Sequence, residues 1–300
     1  MKKKRSGGPQ ATAIVAASLI LLAAGAGVLL SSPRHRAFYF GGPPLTDGQR
    51  GTFRQVAAPG ARAAASVQSA TLMVNGRRIP IPDVAGQVRV AVADELPGLL
   101  PAEGVPPGWD LHEFSGRAMV EITRSEGRVA LRLRSERSSY VLSRDLVLEP
   151  RQFPYLTWTW KVAKLPAGGD VRDAGRDDQA AQVYVVFPRW PSPRTGSDVL
   201  GYVWDTRAPV GTRQVNRRAD NVRVIVVESG PLRLDAWQVQ RRNIVEDYVA
   251  MFGRQPPRVG KVAVMIDTDD TRGEAEALIG DLVFSRTPVE SMETPTSVLR

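Results

Sequence analysis

From residue 110 onward the apolar residues recur at every second position, and this period constrains the fold more than any other feature of the sequence. In RVALRLRSE, residues 128–136, Leu131 and Leu133 fall on one side while Arg132 and Arg134 fall on the other. The segment LTWTWKV repeats the pattern, with two tryptophans on its apolar side. A period of two is that of an extended strand with one buried face.

Further short runs, QVYVVF, NVRVIVV and KVAVMI, are rich in β-branched residues and are bounded by Gly, Pro or Asp. Only RRNIVEDYVAMFG, residues 241–253, has helical spacing, and Gly253 is a suitable helix stop. Many closely spaced strands with one short helix predict an all-β fold, an antiparallel two-sheet β-sandwich. We place this domain at residues 104–287.

The N-terminus predicts export. Residues 1–10 include MKKKR, and residues 11–30 carry no charge over a length that can cross a bilayer core of roughly 30 Å. The basic flank predicts residues 1–10 in the cytoplasm, a single transmembrane anchor in the inner membrane, and the remaining chain in the periplasm or outside. Ala24-Gly25-Ala26 resembles a cleavage site, so a cleaved signal peptide and a secreted protein stay open as an alternative.

Residues 31–103 are rich in Pro, Gly and Ala and are interpreted as a tether. Within them, residues 70–92 predict a β-hairpin, because Asn75-Gly76 separates two apolar arms. Pro80 and Pro82 restrict the second arm to an edge position. Residues 288–300 are predicted to be a flexible tail.

The formal charge of +9 is concentrated at the N-terminus, since residues 1–36 hold six basic residues and no acid. The remainder has 34 basic and 31 acidic residues, a net charge of +3, which is too nearly neutral for a surface that tracks nucleic-acid phosphates. The absence of cysteine excludes thiol nucleophiles and sulfur-ligated zinc. A Ser-His-Asp site would depend on His112, because the second histidine, His35, flanks the apolar segment.

Three acids end an apolar run in VAVMIDTDDT: Asp267, Asp269 and Asp270. In an extended chain, Asp267 and Asp269 point to the same side about 6.5 Å apart, so they need a proton, a cation or a metal between them. An EF-hand is excluded, since Arg272 and Leu278 stand where it needs Gly and Glu. Asp267 and Asp269 are therefore candidate calcium ligands, with a structural pairing or capping role preferred.

A second acidic pair, Asp177 and Asp178, directly precedes the strand-like QVYVVF, so at least one of them is expected to have a partner. In QRRNIVEDY, Arg241 or Arg242 is a suitable bidentate partner for these acids or for Asp267. Our preferred interpretation is an arginine that holds several acids at strand ends together.

Aromatic residues give a further signal. Tyr202 and Trp204 in LGYVWDT share one strand face, and Trp190 lies between prolines in FPRWPSP. Exposed Trp and Tyr stack on the apolar faces of sugar rings. Core packing is the alternative for Tyr202 and Trp204, and it is the expectation for Trp158 and Trp160, which share a face with aliphatic residues.

The motifs WTWKV with LPAGGD, DDQAAQVYVVF, YVW, RRNIVEDYVAMFG and VAVMIDTDDT ending in GDLVF together resemble the domain-of-unknown-function 3047 family, a bacterial group of exported proteins. The resemblance covers about residues 104–286 and implies a galactose-binding-like jelly roll, a scaffold of many non-catalytic carbohydrate-binding modules. It places the family's recurrent polar and aromatic positions at Asp177, Asp178, Tyr202, Trp204, Arg242, Asn243, Asp247, Asp267 and Asp269.

These observations favour a binding protein for a saccharide or another polar cell-envelope ligand, without catalysis and with no cofactor beyond a calcium ion. The candidate ligand-binding residues are Tyr202, Trp204, Trp190, Arg242, Asn243, Asp177, Asp178 and Asp247. A carboxylate-dependent glycan hydrolase or lyase is the first alternative. A structural or assembly protein of the cell envelope is the second.

Overall fold

The computed structural model describes residues 69–189 and 197–288, which are predominantly β-structure. Two seven-stranded sheets enclose a large apolar core. The prediction of an all-β, two-sheet sandwich with one short helix is confirmed.

The strands are, in chain order, β1 (Thr71–Val74), β2 (Arg77–Pro80), β3 (Gln87–Val90), β4 (Ala102–Glu103), β5 (Asp110–Ser115), β6 (Met119–Ser125), β7 (Arg128–Glu136), β8 (Ser139–Leu148), β9 (Tyr155–Lys164), β10 (Ala181–Phe187), β11 (Asp198–Asp205), β12 (Arg213–Val215), β13 (Val222–Ser229), β14 (Gln238–Asn243), β15 (Val259–Asp267) and β16 (Glu274–Ser285). Sheet 1 has the order β12-β13-β11-β10-β15-β8-β5. Sheet 2 has the order β14-β9-β16-β7-β6-β4, with β3 also paired to β16.

One strand pair departs from the expected antiparallel pattern. Strands β11 and β13 run parallel, with a bulge between Val203 and Trp204. The chain between them returns along the sheet and contributes β12, which pairs antiparallel to β13. This crossover places β12 at the edge of sheet 1.

Aromatic side chains join the two sheets. Trp158 and Trp160 of β9 are fully buried, as expected for core residues. Their rings pack against Tyr202 and Trp204 of β11, with centroid distances of 5.3 and 6.0 Å respectively. The alternation in β9 therefore points its tryptophans into the space between the sheets.

The helix α1 (Ile244–Phe252) is shorter than the helical pattern of residues 241–253 predicted. The side chain of Asn243 caps its start by accepting hydrogen bonds from the backbone N–H groups of Val245 and Glu246, at 3.1 and 3.2 Å. Gly253, at φ 69°, ends it in the left-handed conformation. The two arginines before the cap belong to β14 instead.

The segment interpreted as a tether contributes to the sandwich. Strands β1 and β2 form the hairpin expected at Asn75-Gly76, where both residues have positive φ. Strand β3 pairs with β16, and Val88 and Val90 lie in the core. Sheet 2 therefore includes residues before position 104. The segment QVRVAV, residues 87–92, follows the same period of two as the later strands. Buried Arg144 donates to the carboxylate of Asp94 and fixes the segment that follows β3.

Three sequence predictions lie outside the described residues: the apolar segment at residues 11–30, Trp190, and the tail beyond residue 288. No helix among residues 69–189 and 197–288 has both the length and the apolar character needed to span a bilayer.

Truncating one of the central tryptophans tests the packing between the sheets. Trp158→Ala removes a ring with no exposed surface, so we expect it to lower the free energy of unfolding of the full chain by about 3–5 kcal/mol in urea denaturation. Val239→Ala, at a site that is 51% exposed on β14, is the control and should change it by less than about 1 kcal/mol. Equal effects would contradict the central role of the aromatic contact.

Candidate functional site

Five carboxylates form an acidic rim at one end of sheet 1: Asp177, Asp178, Asp267, Asp269 and Asp270. The first two precede β10, and Asp267 is the last residue of β15. Because β10 and β15 are antiparallel neighbours, the start of one lies beside the end of the other. Acids from two distant segments of the chain therefore meet, as the sequence predicted.

Asp178 holds the loop after β15 against the start of β10 through hydrogen bonds. Its carboxylate is buried and accepts hydrogen bonds from the backbone N–H groups of Asp270 at 3.2 Å and Thr271 at 2.6 Å. Burial raises the pKa of Asp178, although these N–H donors act in the opposite direction. Asp178 therefore has a structural role as an acceptor for the backbone of the acid-rich loop.

Three of the rim carboxylates converge on one point. Asp178, Asp267 and Asp269 each place one oxygen within 4.8 Å of the oxygens of the other two. Burial, and then the neighbouring Asp269 carboxyl, raise the pKa of Asp267 well above its ordinary value. Carboxylates this close favour a shared proton or a bound cation over full ionisation.

Asp177 lies beside this trio and accepts from two amides. Gln179 Nε2 donates to its Oδ1 at 3.0 Å, and Asn216 Nδ2 donates to its Oδ2 at 3.1 Å. Burial is the main cause that raises the pKa of Asp177 to about 6. Burial, and then the Asp177 and Asp267 carboxyls, raise the pKa of Tyr184, whose hydroxyl donates to Gln182 Oε1.

The guanidinium that contacts the rim belongs to Arg218, which lies between β12 and β13. It donates to Asp270 Oδ1 at 2.8 Å and to the carbonyl of Ala174 at 2.7 Å. Sequence reasoning missed Arg218 and Asn216, because about forty to fifty residues separate them from the acids and no local spacing connects them. The signal that the sequence does contain is the turn itself: Asn216 Oδ1 accepts from the backbone N–H groups of Arg218 and Ala219.

Arg242 does not hold the rim acids together, so the prediction is wrong for this residue. Its Nε and Nη2 donate to the two oxygens of Asp247 at 2.8 and 2.6 Å. Tyr202 donates to the same carboxylate at 3.0 Å. Arg242 lies inside β14, and its bidentate partner is five residues further along the chain.

Three of the predicted ligand-binding residues are committed to internal contacts. Tyr202 and Trp204 have no exposed surface, so they form part of the core and not an exposed stacking platform. Trp204 Nε1 donates to the carbonyl of Gly230 at 3.1 Å. Asn243 is occupied as the helix cap. The sequence shows that Tyr202 and Trp204 share a face, and the structure shows that this face is turned inward.

The structure thus defines a β-sandwich that presents an acid-rich rim at the ends of two neighbouring strands. A family model described as "Protein of unknown function (DUF3047)" matches residues 107–283. The chain belongs to this family, as its motifs indicated. A search of curated protein sequences gives no significant match.

The chain is similar to several solved structures. The family 11 carbohydrate-binding module of Clostridium thermocellum, in complex with a β-1,3-1,4-mixed-linked tetrasaccharide, is 8% identical and has a TM-score of 0.34, over 68% of this chain and 97% of the module. The family 30 module of a C. thermocellum cellulosomal cellulase is 10% identical with a TM-score of 0.35, over 67% and 99%. The xyloglucanase domain of a Sinorhizobium fredii effector, in complex with cellobiose, is 10% identical with a TM-score of 0.33, over 64% and 97%.

The raised pKa of Asp177 predicts a specific dependence of stability on pH. Its pKa of about 6 in the folded chain lies above its ordinary value of 3.8, so the folded state binds this proton more tightly than the unfolded state. The stabilisation is complete below about pH 4 and is lost as the pH rises through about 6. Asp177→Asn should therefore reduce the fall in the free energy of unfolding between pH 4 and 7, by up to about 3 kcal/mol in urea titrations.

The matched control for this substitution is Asp173→Asn, because the Asp173 side chain is 59% exposed in a loop. It should leave the pH profile of the unfolding free energy unchanged. A profile of Asp177→Asn that parallels the wild-type profile would show that Asp177 is not the titrating group.

Proposed function

We propose that the chain is an exported binding protein whose sandwich holds a polar cell-envelope ligand, a saccharide, at the acidic rim without catalysis. The observation that carries this proposal is the convergence of Asp178, Asp267 and Asp269 within 4.8 Å. Arg218 contacts the rim through Asp270, and one guanidinium cannot balance five carboxylates. A rim of this composition favours cations and hydroxyl-rich ligands.

A calcium ion fits the trio on distance and on donor chemistry. Calcium prefers carboxylate oxygens and binds each at about 2.3–2.6 Å, so two oxygens 4.8 Å apart can lie on opposite sides of one ion. Three carboxylates provide three of the six to eight oxygens that calcium takes. Ligand hydroxyls and water would supply the others, which would join the cation to saccharide binding.

Binding is favoured over hydrolysis by the arrangement of the same groups. A glycosidase needs two carboxyls on opposite sides of a bond, about 5–5.5 Å or 6.5–9.5 Å apart. The rim trio instead converges on one point. Tyr202 and Trp204, which would have lined a sugar cleft, lie in the core.

The proposed location of the protein rests on its N-terminal sequence. With residues 11–30 as a transmembrane anchor, the sandwich would face the periplasm or the exterior, where saccharides and calcium are both accessible. A cleaved signal would release the same domain as a secreted protein.

Calcium should stabilise the folded chain. We expect added CaCl₂ to raise the midpoint of thermal unfolding of the full chain in a concentration-dependent way, because a ligand that binds only the folded state stabilises it. Asp269→Asn should remove the effect, whereas Asp173→Asn should retain it. An unchanged midpoint in wild-type protein at millimolar calcium would overturn the cation part of the proposal.

Saccharide binding should depend on the same rim. Calorimetry of the full chain against bacterial cell-envelope and host glycans, with and without calcium, should give a ligand whose affinity Asp269→Asn lowers by about tenfold or more. Unchanged melting of the Asp269→Asn chain in the absence of calcium would show that it still folds. Products of glycan cleavage would favour the hydrolase, and silence with every glycan would favour a structural role in the envelope.

A further inference from the structure

A second polar site lies at the open lateral edge of the sandwich, where β12 ends sheet 1 and β14 ends sheet 2. A cavity of about 390 Å³ opens between these edge strands. We name it the lateral cleft and define it by Val210, Arg213, Val227, Gln240 and Arg242. Its volume falls in the range of about 300–1,000 Å³ found for small-molecule sites.

Strand register shows that polar side chains of β14 face inward here. Gln240 is paired with Trp158 and Arg242 with Leu156, and the two β9 partners are core residues. Directly opposite residues of an antiparallel pair project to the same face. Gln240 and Arg242 therefore project towards the space between the two sheets, where the interior strands of the sandwich place apolar side chains.

The other wall follows the same rule. Arg213 of β12 is paired with Ile225 of β13, which is 2% exposed on the inner face of sheet 1. The guanidinium of Arg213 is exposed at the mouth of the cleft and makes no ion pair or hydrogen bond with residues 69–189 or 197–288. Val227, 8% exposed, and Val210, 61% exposed, supply an apolar wall.

The charges around the cleft leave Arg213 unbalanced. Asp247 is engaged by Arg242 through Nε and Nη2. Glu228 accepts from Gln240 at 2.9 Å and from Arg233 at 3.1 Å. The acids bonded to Gln240 and Arg242 thus already have partners, and the cleft presents the guanidinium of Arg213 beside apolar surface and an amide.

Inward-pointing charges also protect edge strands from pairing with other chains. That role accounts for arginines on β12 and β14, but it needs no cavity between them. A cavity with an apolar wall, an amide and a guanidinium matches a sugar ring that carries a carboxylate. The C–H face of such a ring can pack on Val210 and Val227, and a guanidinium binds a carboxylate through two parallel hydrogen bonds.

We propose that the lateral cleft binds a carboxylate-bearing sugar, a uronate, with Arg213 as the residue that binds the carboxylate. This site is separate from the acidic rim, whose carboxylates would repel the same ligand. It does not depend on calcium.

Calorimetry of the full chain with trigalacturonate and with the neutral galactose trisaccharide tests this proposal. We expect the charged trisaccharide to bind at least about tenfold more tightly, with an affinity that weakens as salt is raised. Arg213→Gln should lower the trigalacturonate affinity by about tenfold or more. Its thermal midpoint should match that of the wild type, because the side chain is exposed.

Two controls separate binding at the lateral cleft from binding elsewhere on the protein. Arg217→Gln removes another exposed arginine outside the cleft and should leave trigalacturonate affinity unchanged. Asp269→Asn disables the proposed calcium site and should also leave it unchanged, so failure of the rim proposal and failure of this one are distinguishable.

Three outcomes would overturn the uronate site. They are no binding of trigalacturonate, equal affinity for the charged and neutral trisaccharides, and an Arg213→Gln chain that binds as the wild type does. Dimerisation of that variant with unchanged affinity would assign Arg213 to edge protection alone.

Discussion

The contact between β9 and β11 positions the rest of the molecule. Trp158 packs on Tyr202 and Trp160 packs on Trp204, so one strand of each sheet is fixed against the other by aromatic rings. Rings of this size contribute both buried area and a preferred orientation. Because β10 lies between β11 and β15 in sheet 1, this contact also fixes the strands that carry the acidic rim.

The acidic rim brings like charges close together, whereas folded chains usually keep them apart. Burial and proximity raise the pKa of Asp178 and of Asp267, which means that the folded state disfavours their ionised forms. The N–H groups of Asp270 and Thr271 offset part of this cost at Asp178. The remaining cost is one that a proton or a cation would relieve, so this geometry destabilises the folded chain at neutral pH, and the calcium proposal rests on that cost.

The period of two was sufficient to predict the two sheets and the burial of Trp158 and Trp160. It could not predict whether Tyr202 and Trp204 are buried or exposed, because alternation shows which residues share a face of a strand but not which face is buried. In β11 the usual polar signal is missing, since Val203 on the opposite face is also fully buried under a second apolar cluster. The meeting of the rim acids was predictable from strand ends alone. The pairing of Arg218 with Asp270 was not predictable, because it depends on the crossover between the parallel strands β11 and β13.

Within residues 69–189 and 197–288, the acidic rim and the inward-facing arginines occupy different kinds of position in the sandwich. The acids lie at the ends of β10 and β15, which are interior strands of sheet 1, so their backbone groups are paired and only the strand termini are open. The inward-facing guanidiniums of Arg213 and Arg242 lie on edge strands, where the sandwich is open along its side. The loop from β12 to β13 joins the two, because Arg218 leaves the basic edge and pairs with Asp270 at the rim. The acidic rim and the basic edge are therefore connected through one loop, which is held by the hydrogen bond of Arg218 to Ala174 and by the pairing of β12 with β13.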